Sequence, residues 1–142
     1  MAKPKKGSVI NPLMLIAAKN KPDQESVDKI DMVVLTALDA AKRGKCPNGL
    51  ANVLTEHLMC GVLMWSKMGN RPLYDRAVAA WTAMGKACQR PTELLDLTTT
   101  EYQAIRHALQ YYLRAIPQLE IGKLASLFME AQRKLAAYPL HT

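Results

Sequence analysis

Apolar residues in the stretch 48–69 recur with the period of an α-helix. They stand at spacings of three and four: Leu50, Leu54, Leu58, Gly61, Trp65 and Met68. Met59, Val62 and Leu63 lie between them and are also apolar, and a helix that is apolar on most faces is usually buried among its neighbours. Asn48 is a suitable N-cap and Gly69 a suitable left-handed terminator. The pattern therefore predicts a central helix over 48–69.

Four further segments show helical periodicity. Residues 23–43 carry an apolar stripe, with acidic residues at the start and basic residues at the end, the order that the helix dipole favours. Residues 72–89 follow the central helix so closely that we expect the two to be antiparallel neighbours. Two more helices are predicted, one after Thr98 and one that begins between 118 and 122, beyond Pro117. The sequence thus predicts an all-α fold, a single-domain bundle of four to five helices over 23–142, with no strand.

The start of the fourth helix has the clearest local signal in the chain. Thr98 and Glu101 stand three residues apart, as in a capping box, where each side chain bonds the other residue's backbone N–H. Leu97 and Tyr102 flank them at the positions of a hydrophobic staple. We therefore expect this helix to begin at a fixed residue.

The first 22 residues form a basic arm. Their charged residues are all lysines: Lys3, Lys5, Lys6, Lys19 and Lys21. The whole chain has 19 basic and 12 acidic residues and a net charge of +7, so the rest has 14 basic against 12 acidic. Most of the excess positive charge therefore belongs to the arm, which could make salt-dependent contacts with phosphates.

The arm also has an apolar part. Asn11-Pro12 resembles a cap followed by proline at the first helical position, which predicts a short helix over 13–19. Such a helix does not persist alone in water. Leu13, Leu15 and Ile16 therefore need a surface, which could belong to this domain or to a partner: a host protein, or a second copy of this chain in a homodimer.

The fourth helix is the best candidate for contact with DNA outside the arm. Three threonines at its start could contact phosphates and three later side chains could face a groove: Thr98, Thr99, Thr100, Gln103, Arg106 and His107. Lys86 and Arg90, at the end of the preceding helix, are secondary candidates with Arg106. The competing interpretation is a well-capped core helix whose polar residues simply point outward.

No constellation of residues indicates catalysis, a metal or a cofactor, so we expect none of them. His57 and Cys60 could supply two metal ligands from one helix, but no further ligands stand near them in sequence. Glu56 and His57 are adjacent and point about 100° apart around a helix, so they do not converge. The methionines Met59, Met64, Met68 and Met84 could fill core or line an adaptable groove.

Localisation and partners follow from similar absences. No apolar run reaches the ~18 residues of a membrane span, and residues 9–18 make a poor signal peptide because Asn11-Pro12 interrupts them. The three cysteines show no zinc-like pairing, as expected for free thiols in a reducing compartment. We therefore expect a cytoplasmic protein without a membrane partner.

One longer stretch carries a family resemblance. It consists of a helix that ends in Met68-Gly69, a second helix, and then Leu95-Asp96-Leu97-Thr98-Thr99-Thr100-Glu101-Tyr102-Gln103-Ala104-Ile105-Arg106. This stretch resembles small helical accessory proteins of proteobacterial prophages and plasmids. The resemblance implies an accessory or host-takeover role and carries no functional residue. Together, the resemblance and the basic arm predict a non-catalytic accessory or regulatory protein that binds nucleic acid or a nucleoprotein complex. The alternative is an adaptor or inhibitor that binds a host protein.

Overall fold

The computed structural model describes residues 20–137, and nearly all of them lie in a helical bundle. The elements are α1 Gln24–Lys42, α2 Asn48–Met68, α3 Arg71–Gln89, α4 Thr99–Ala115, a 3₁₀ turn Ile116–Gln118, and α5 Ile121–Ala137. Within 20–137 the only β-type pairing is one isolated bridge between Cys46 and Leu95. The predicted all-α bundle is confirmed, and most of the basic arm lies outside the described residues.

Helix α2 is the centre of the bundle and contacts each of the other four helices. Leu54, Leu58 and Met64 are almost completely buried along it. Burial of one such side chain contributes about 1.5–3 kcal/mol to stability. Tyr112 of α4 packs over Gly61, where an added Cβ would lie 3.7 Å from the ring. The apolar pattern of 48–69 therefore predicted the position of this helix in the core.

The two ends of α2 differ in how well the sequence predicted them. Gly69 has a positive φ of 67° and its N–H bonds the Ser66 carbonyl, as expected for a glycine terminator. At the other end the prediction of Asn48 as the N-cap is wrong. Pro47 is the capping residue, and its carbonyl accepts the first helical bond from the Ala51 N–H at 2.9 Å. The bridge from Cys46 to Leu95 sets the extended approach into the helix, so Asn48 is already helical.

The start of α4 is built as the sequence predicted. The Thr98 hydroxyl accepts from the Glu101 N–H at 3.2 Å, and the Glu101 carboxylate accepts from the Thr98 N–H at 2.9 Å. From this cap onward, Ile105, Leu109 and Tyr112 face the core and are fully buried. The cap therefore fixes the start of α4, and its buried apolar stripe decides which side faces the solvent.

The end of the arm is attached to the start of α5. The Asn20 carbonyl accepts a hydrogen bond from the Ile121 N–H at 2.6 Å. The Lys21 ammonium lies 3.5 Å from the Gln118 side-chain oxygen. Asp23 then caps α1 by accepting from the Ser26 N–H at 2.8 Å. Residues 20–23 therefore cross the junction between α4 and α5 before α1 begins.

The methionines divide between the two predicted roles. Met64 and Met84 are buried in the core, and Met59 packs partly buried against it. Met68, in the last turn of α2, is 52% exposed. None of the helices within the described part of the chain combines the length and the apolar character needed to cross a membrane.

Two glycine-to-alanine changes, one in α2 and one at its C-cap, should have opposite effects on the stability of the fold. Gly69→Ala should lower the free energy of unfolding by about 1 kcal/mol, because a Cβ is strained at a φ of 67°. Gly49→Ala should raise it by about 0.5 kcal/mol, because the added Cβ meets no atom within 4 Å and alanine favours the helix. Urea denaturation of the two variants and the parent checks this. A shift of the same sign in both would contradict the assigned end of α2.

Candidate functional site

Most predicted residues of the arm fall outside the part of the chain that the structure describes. They are Lys3, Lys5, Lys6 and Lys19, with the apolar residues Leu13, Leu15 and Ile16. Lys21 is described and is exposed beside Gln118. Their roles in binding nucleic acid or a partner remain predictions.

The solvent side of α4 brings several of the predicted polar residues together. Because Ile105, Leu109 and Tyr112 face the core, the opposite side presents residues at spacings of three and four. They are Gln103, Arg106, His107, Gln110, Tyr111 and Arg114, all exposed except Gln110, which is half-buried. Among residues 99–115 the only acidic one is Glu101, whose carboxylate is paired with Arg90. The solvent side of α4, from Gln103 to Arg114, is therefore cationic.

Helix α3 adds a cation that sequence reasoning missed. The guanidinium of Arg76 lies over the ring of Tyr111, 5.3 Å from its centroid. This contact joins α3 to the solvent side of α4 and holds one planar cation next to it. Lys86 is exposed in the last turn of the same helix. Arg76 could have been found only from the pairing of α3 with α4.

Arg90 has a different environment from the other predicted cations. Its guanidinium donates to both carboxylate oxygens of Glu101, at 2.6 and 2.7 Å, and to the Asp96 carbonyl at 2.6 Å. These hydrogen bonds hold the pKa of the Glu101 carboxyl below its ordinary value. Glu101 is also the third helical residue of α4 and half of its capping box with Thr98, so Arg90 holds the loop 90–98 against the helix start. The prediction placed Arg90 among nucleic-acid contacts, whereas in the structure it has these intramolecular contacts.

Arg106 lies next to α1. It borders a small cleft between α1 and α4 of about 120 Å³, together with Leu35 and Asp39. Asp39 also pairs with Arg43, 3.2 Å away, on the exposed surface of α1. Arg106 therefore lies at the edge of the cationic surface, next to the acidic helix α1.

A buried polar cluster lies on the other side of α4, in which Tyr112 and Cys60 are buried and His57 is partly buried. His57 Nδ1 and the Tyr112 hydroxyl share a hydrogen bond of 2.7 Å between α2 and α4. The His57 ring also meets Phe128 of α5 edge-on, with 5.7 Å between centroids. Cys60, one turn after His57, lies 4.0 Å from the Leu127 carbonyl. The residues come from three helices, which is why sequence spacing did not predict the cluster.

Burial keeps this cluster uncharged. Burial lowers the pKa of His57 to about 4 and raises the pKa of the Cys60 thiol to about 12. It also raises the pKa of Tyr112, so all three groups are neutral at pH 7. A protonated, buried thiol is a poor nucleophile. Across residues 20–137, no three His, Cys, Asp or Glu side chains are grouped so that they could hold a metal ion.

A cavity of about 400 Å³ lies between the end of α2 and the start of α5. Met64, Met68, Leu119 and Leu127 supply its apolar walls. Lys67 and Lys123 also line it, one from each helix. The Lys67 ammonium is paired with the Glu130 carboxylate at 3.0 Å. The cavity is therefore mainly apolar and opens beside the place where the arm joins the bundle.

Comparisons with known proteins returned no relative: no protein-family model, no curated protein and no solved structure matches this chain. The resemblance to accessory proteins of prophages and plasmids therefore stays a prediction.

The burial of His57 predicts how stability depends on pH. The unfolded chain binds a proton at the ordinary histidine pKa of 6.5, whereas the folded chain keeps His57 neutral down to about 4. The stabilisation is therefore complete above pH 6.5 and decreases as pH falls toward 4, by roughly 3 kcal/mol in all. His57→Gln, which keeps a hydrogen-bonding group beside Tyr112 but does not titrate, should flatten this decrease.

Urea denaturation across this pH range measures the effect, and NMR titration of the imidazole reports the folded pKa directly. His107→Gln is the matched control, because His107 is exposed on α4 and has no place in the cluster. An unchanged pH profile in His57→Gln would contradict the assignment of His57 as a partly buried group that stays neutral in the folded chain.

Proposed function

We propose that this chain is a non-catalytic accessory or regulatory protein of a phage or plasmid that binds nucleic acid, alone or in a nucleoprotein complex. The observation that carries the proposal is the joining of two cationic elements. The arm reaches the bundle at Gln118, only four residues beyond Arg114 at the end of α4. Lys21, the one arm lysine that the structure describes, therefore lies near the end of the cationic side of α4.

The chemistry of α4 suits a phosphate backbone. Arg106 and Arg114 can each donate two parallel hydrogen bonds to a phosphate, and Gln103 and Gln110 can donate to phosphates or base edges. From Gln103 to Arg114 the helix rises about 16 Å, at 1.5 Å per residue. This length spans several phosphates of one strand of duplex DNA, which follow one another every ~3.4 Å along the duplex axis. The surface favours binding in which charge supplies most of the affinity.

The buried polar cluster supports a non-catalytic role. Its histidine, thiol and phenol are the most perturbed titratable groups in the core, and burial keeps each of them neutral. The His57 imidazole has a hydrogen-bond partner in Tyr112, so its presence between the helices is explained by packing. We therefore interpret the cluster as structural, and a catalytic role has no support from its geometry.

A second candidate function rests on α1. This helix exposes three large apolar side chains, Met32, Val33 and Leu35, with Met32 69% exposed. Large apolar side chains exposed on one helix are a common feature of surfaces that contact other proteins. An adaptor or inhibitor that binds a host protein, or a homodimer, could use this side of the bundle. Such binding should resist salt, whereas binding to phosphates should not.

Fluorescence anisotropy with a labelled DNA duplex and a labelled RNA of roughly 30 nucleotides tests the proposal, since this length exceeds the span of α4 several times. Arg106→Gln with Arg114→Gln should weaken binding and reduce the salt slope by about two, one for each arginine that no longer pairs with a phosphate. Lys29→Gln with Arg43→Gln removes the same charge from α1 and should change affinity much less. Equal decreases in the two double variants would show that only net charge matters and would contradict a role for α4.

Replacement of the five arm lysines by alanine tests the contribution of the arm to nucleic-acid binding. The variant Lys3→Ala, Lys5→Ala, Lys6→Ala, Lys19→Ala and Lys21→Ala should lose most affinity at low salt, because each phosphate contact contributes about 0.9 to the salt slope. Circular dichroism should remain that of the parent. Parent-like affinity and slope would reject the arm as a nucleic-acid contact. Salt-insensitive capture of one protein by both forms would favour the adaptor function instead.

A further inference from the structure

The cavity between α2 and α5 has apolar walls that the described helices leave open. Met68 is 52% exposed at its edge, although Met64 and Leu127 beside it are buried. A volume on the order of 150 Å³ holds one benzene-sized group. The cavity, at about 400 Å³, therefore has room for two or three aliphatic side chains.

The arm leads toward this cavity. Followed toward the N-terminus, its contacts advance along the chain from Gln118, beside Lys21, to Ile121, which bonds Asn20. The next residues in that direction are Gly122 and Lys123, and both line the cavity. The hydrogen bond at Asn20 therefore fixes the arm within two residues of the cavity wall.

The composition and reach of the preceding segment match the cavity. Residues 13–18 read Leu-Met-Leu-Ile-Ala-Ala and carry no charge. Ile16 is four residues from Asn20, which allows at most about 14 Å between their Cα atoms. Leu13 is seven residues away, a rise of about 10 Å if the segment is helical. The segment can thus reach the cavity without disturbing the contacts at Asn20 and Lys21.

We propose that the segment 13–18 docks into the cavity of its own chain, with Leu13, Leu15 and Ile16 placed against Met64, Met68 and Leu127. Its burial completes the apolar contact between the end of α2 and the start of α5. The inference does not depend on nucleic-acid binding and goes beyond it.

The charges around the cavity favour this occupant over an anionic ligand. Lys67 already pairs with Glu130 at 3.0 Å, so its positive charge is compensated within the bundle. Four apolar walls and one remaining lysine, Lys123, suit an uncharged aliphatic segment better than a phosphate or a carboxylate. The short tether also gives the arm a high effective concentration at the cavity, which favours it over a separate molecule that would compete for the same place.

A disulfide cross-link in the full chain tests the docking. Ile16→Cys with Ser126→Cys, which lines the cavity, should form an intramolecular disulfide in a glutathione redox buffer. Burial raises the pKa of the natural Cys60 thiol to about 12 and of Cys88 to about 11, so these thiols react slowly. The matched control is Ile16→Cys with Thr82→Cys, since Thr82 is exposed on α3, which packs mainly against α2 and α4.

The cavity pair should cross-link at least about tenfold faster than the control pair, at a rate that does not change with protein concentration. Equal rates in the two pairs would overturn the proposal. A cross-linked dimer whose rate rises with concentration would also overturn it, because the cavity would then hold the arm of a second copy.

A spectroscopic comparison needs no engineered thiol. Leu13→Ser, Leu15→Ser and Ile16→Ser together should shift the methyl resonances of Met64 and Met68, while Met32, exposed on α1, stays unchanged. The matched control replaces Lys3, Lys5 and Lys6 by serine and should leave all three methyl resonances in place. Unshifted Met64 and Met68 resonances in the apolar variant would show that the cavity stays open to another occupant and would overturn the proposal.

Discussion

The structure depends on the packing of one helix against all the others. Helix α2 contacts the other four helices, so a polar group that this packing buries must find a partner inside the bundle. Thr55 meets this requirement by bonding back to the Ala51 carbonyl at 2.9 Å. His57 meets it through Tyr112 of α4, 2.7 Å away. A titratable side chain in the core is therefore a consequence of packing, and its strongly lowered pKa is not evidence of catalysis.

Local features of the fold could be predicted from the sequence, and long-range pairings could not. The capping box of Thr98 and Glu101 and the left-handed Gly69 depend on neighbours within four residues, so their residue types are informative by themselves. The partner of Glu101 is Arg90, which approaches through an irregular loop. The hydrogen bond of His57 spans 55 residues. Nothing in the spacing of such residues distinguishes them from surface cations or metal ligands, because only the packing of helices brings them together.

The candidate site shows the same division. The amphipathic pattern of α4 correctly predicted that Arg106 and His107 face the solvent, because its apolar stripe assigns the other side to the core. It could not separate Arg106 from Arg90, although one is exposed and the other holds a loop in place. It also missed Arg76, whose position over Tyr111 requires α3 and α4 to be neighbours. Net charge indicates a class of partner, while the packing of the helices decides which cations are accessible to such a partner.

The distribution of charge gives the bundle a preferred orientation toward a polyanion. Helix α1 and its two caps carry five acidic residues, Asp23, Glu25, Asp28, Asp31 and Asp39, against three basic residues, Lys29, Lys42 and Arg43. Helix α4 carries Arg106 and Arg114 on its solvent side, and its one acid is neutralised by Arg90. A polyanion is therefore repelled from α1 and attracted to α4. A docked segment 13–18 would reinforce this orientation, because it would hold Lys19 next to Lys21 at the α5 junction, three residues of chain from the end of α4. The apolar segment would then determine where the charge of the arm is presented, and its leucines would have a positioning role in the binding proposed for the lysines.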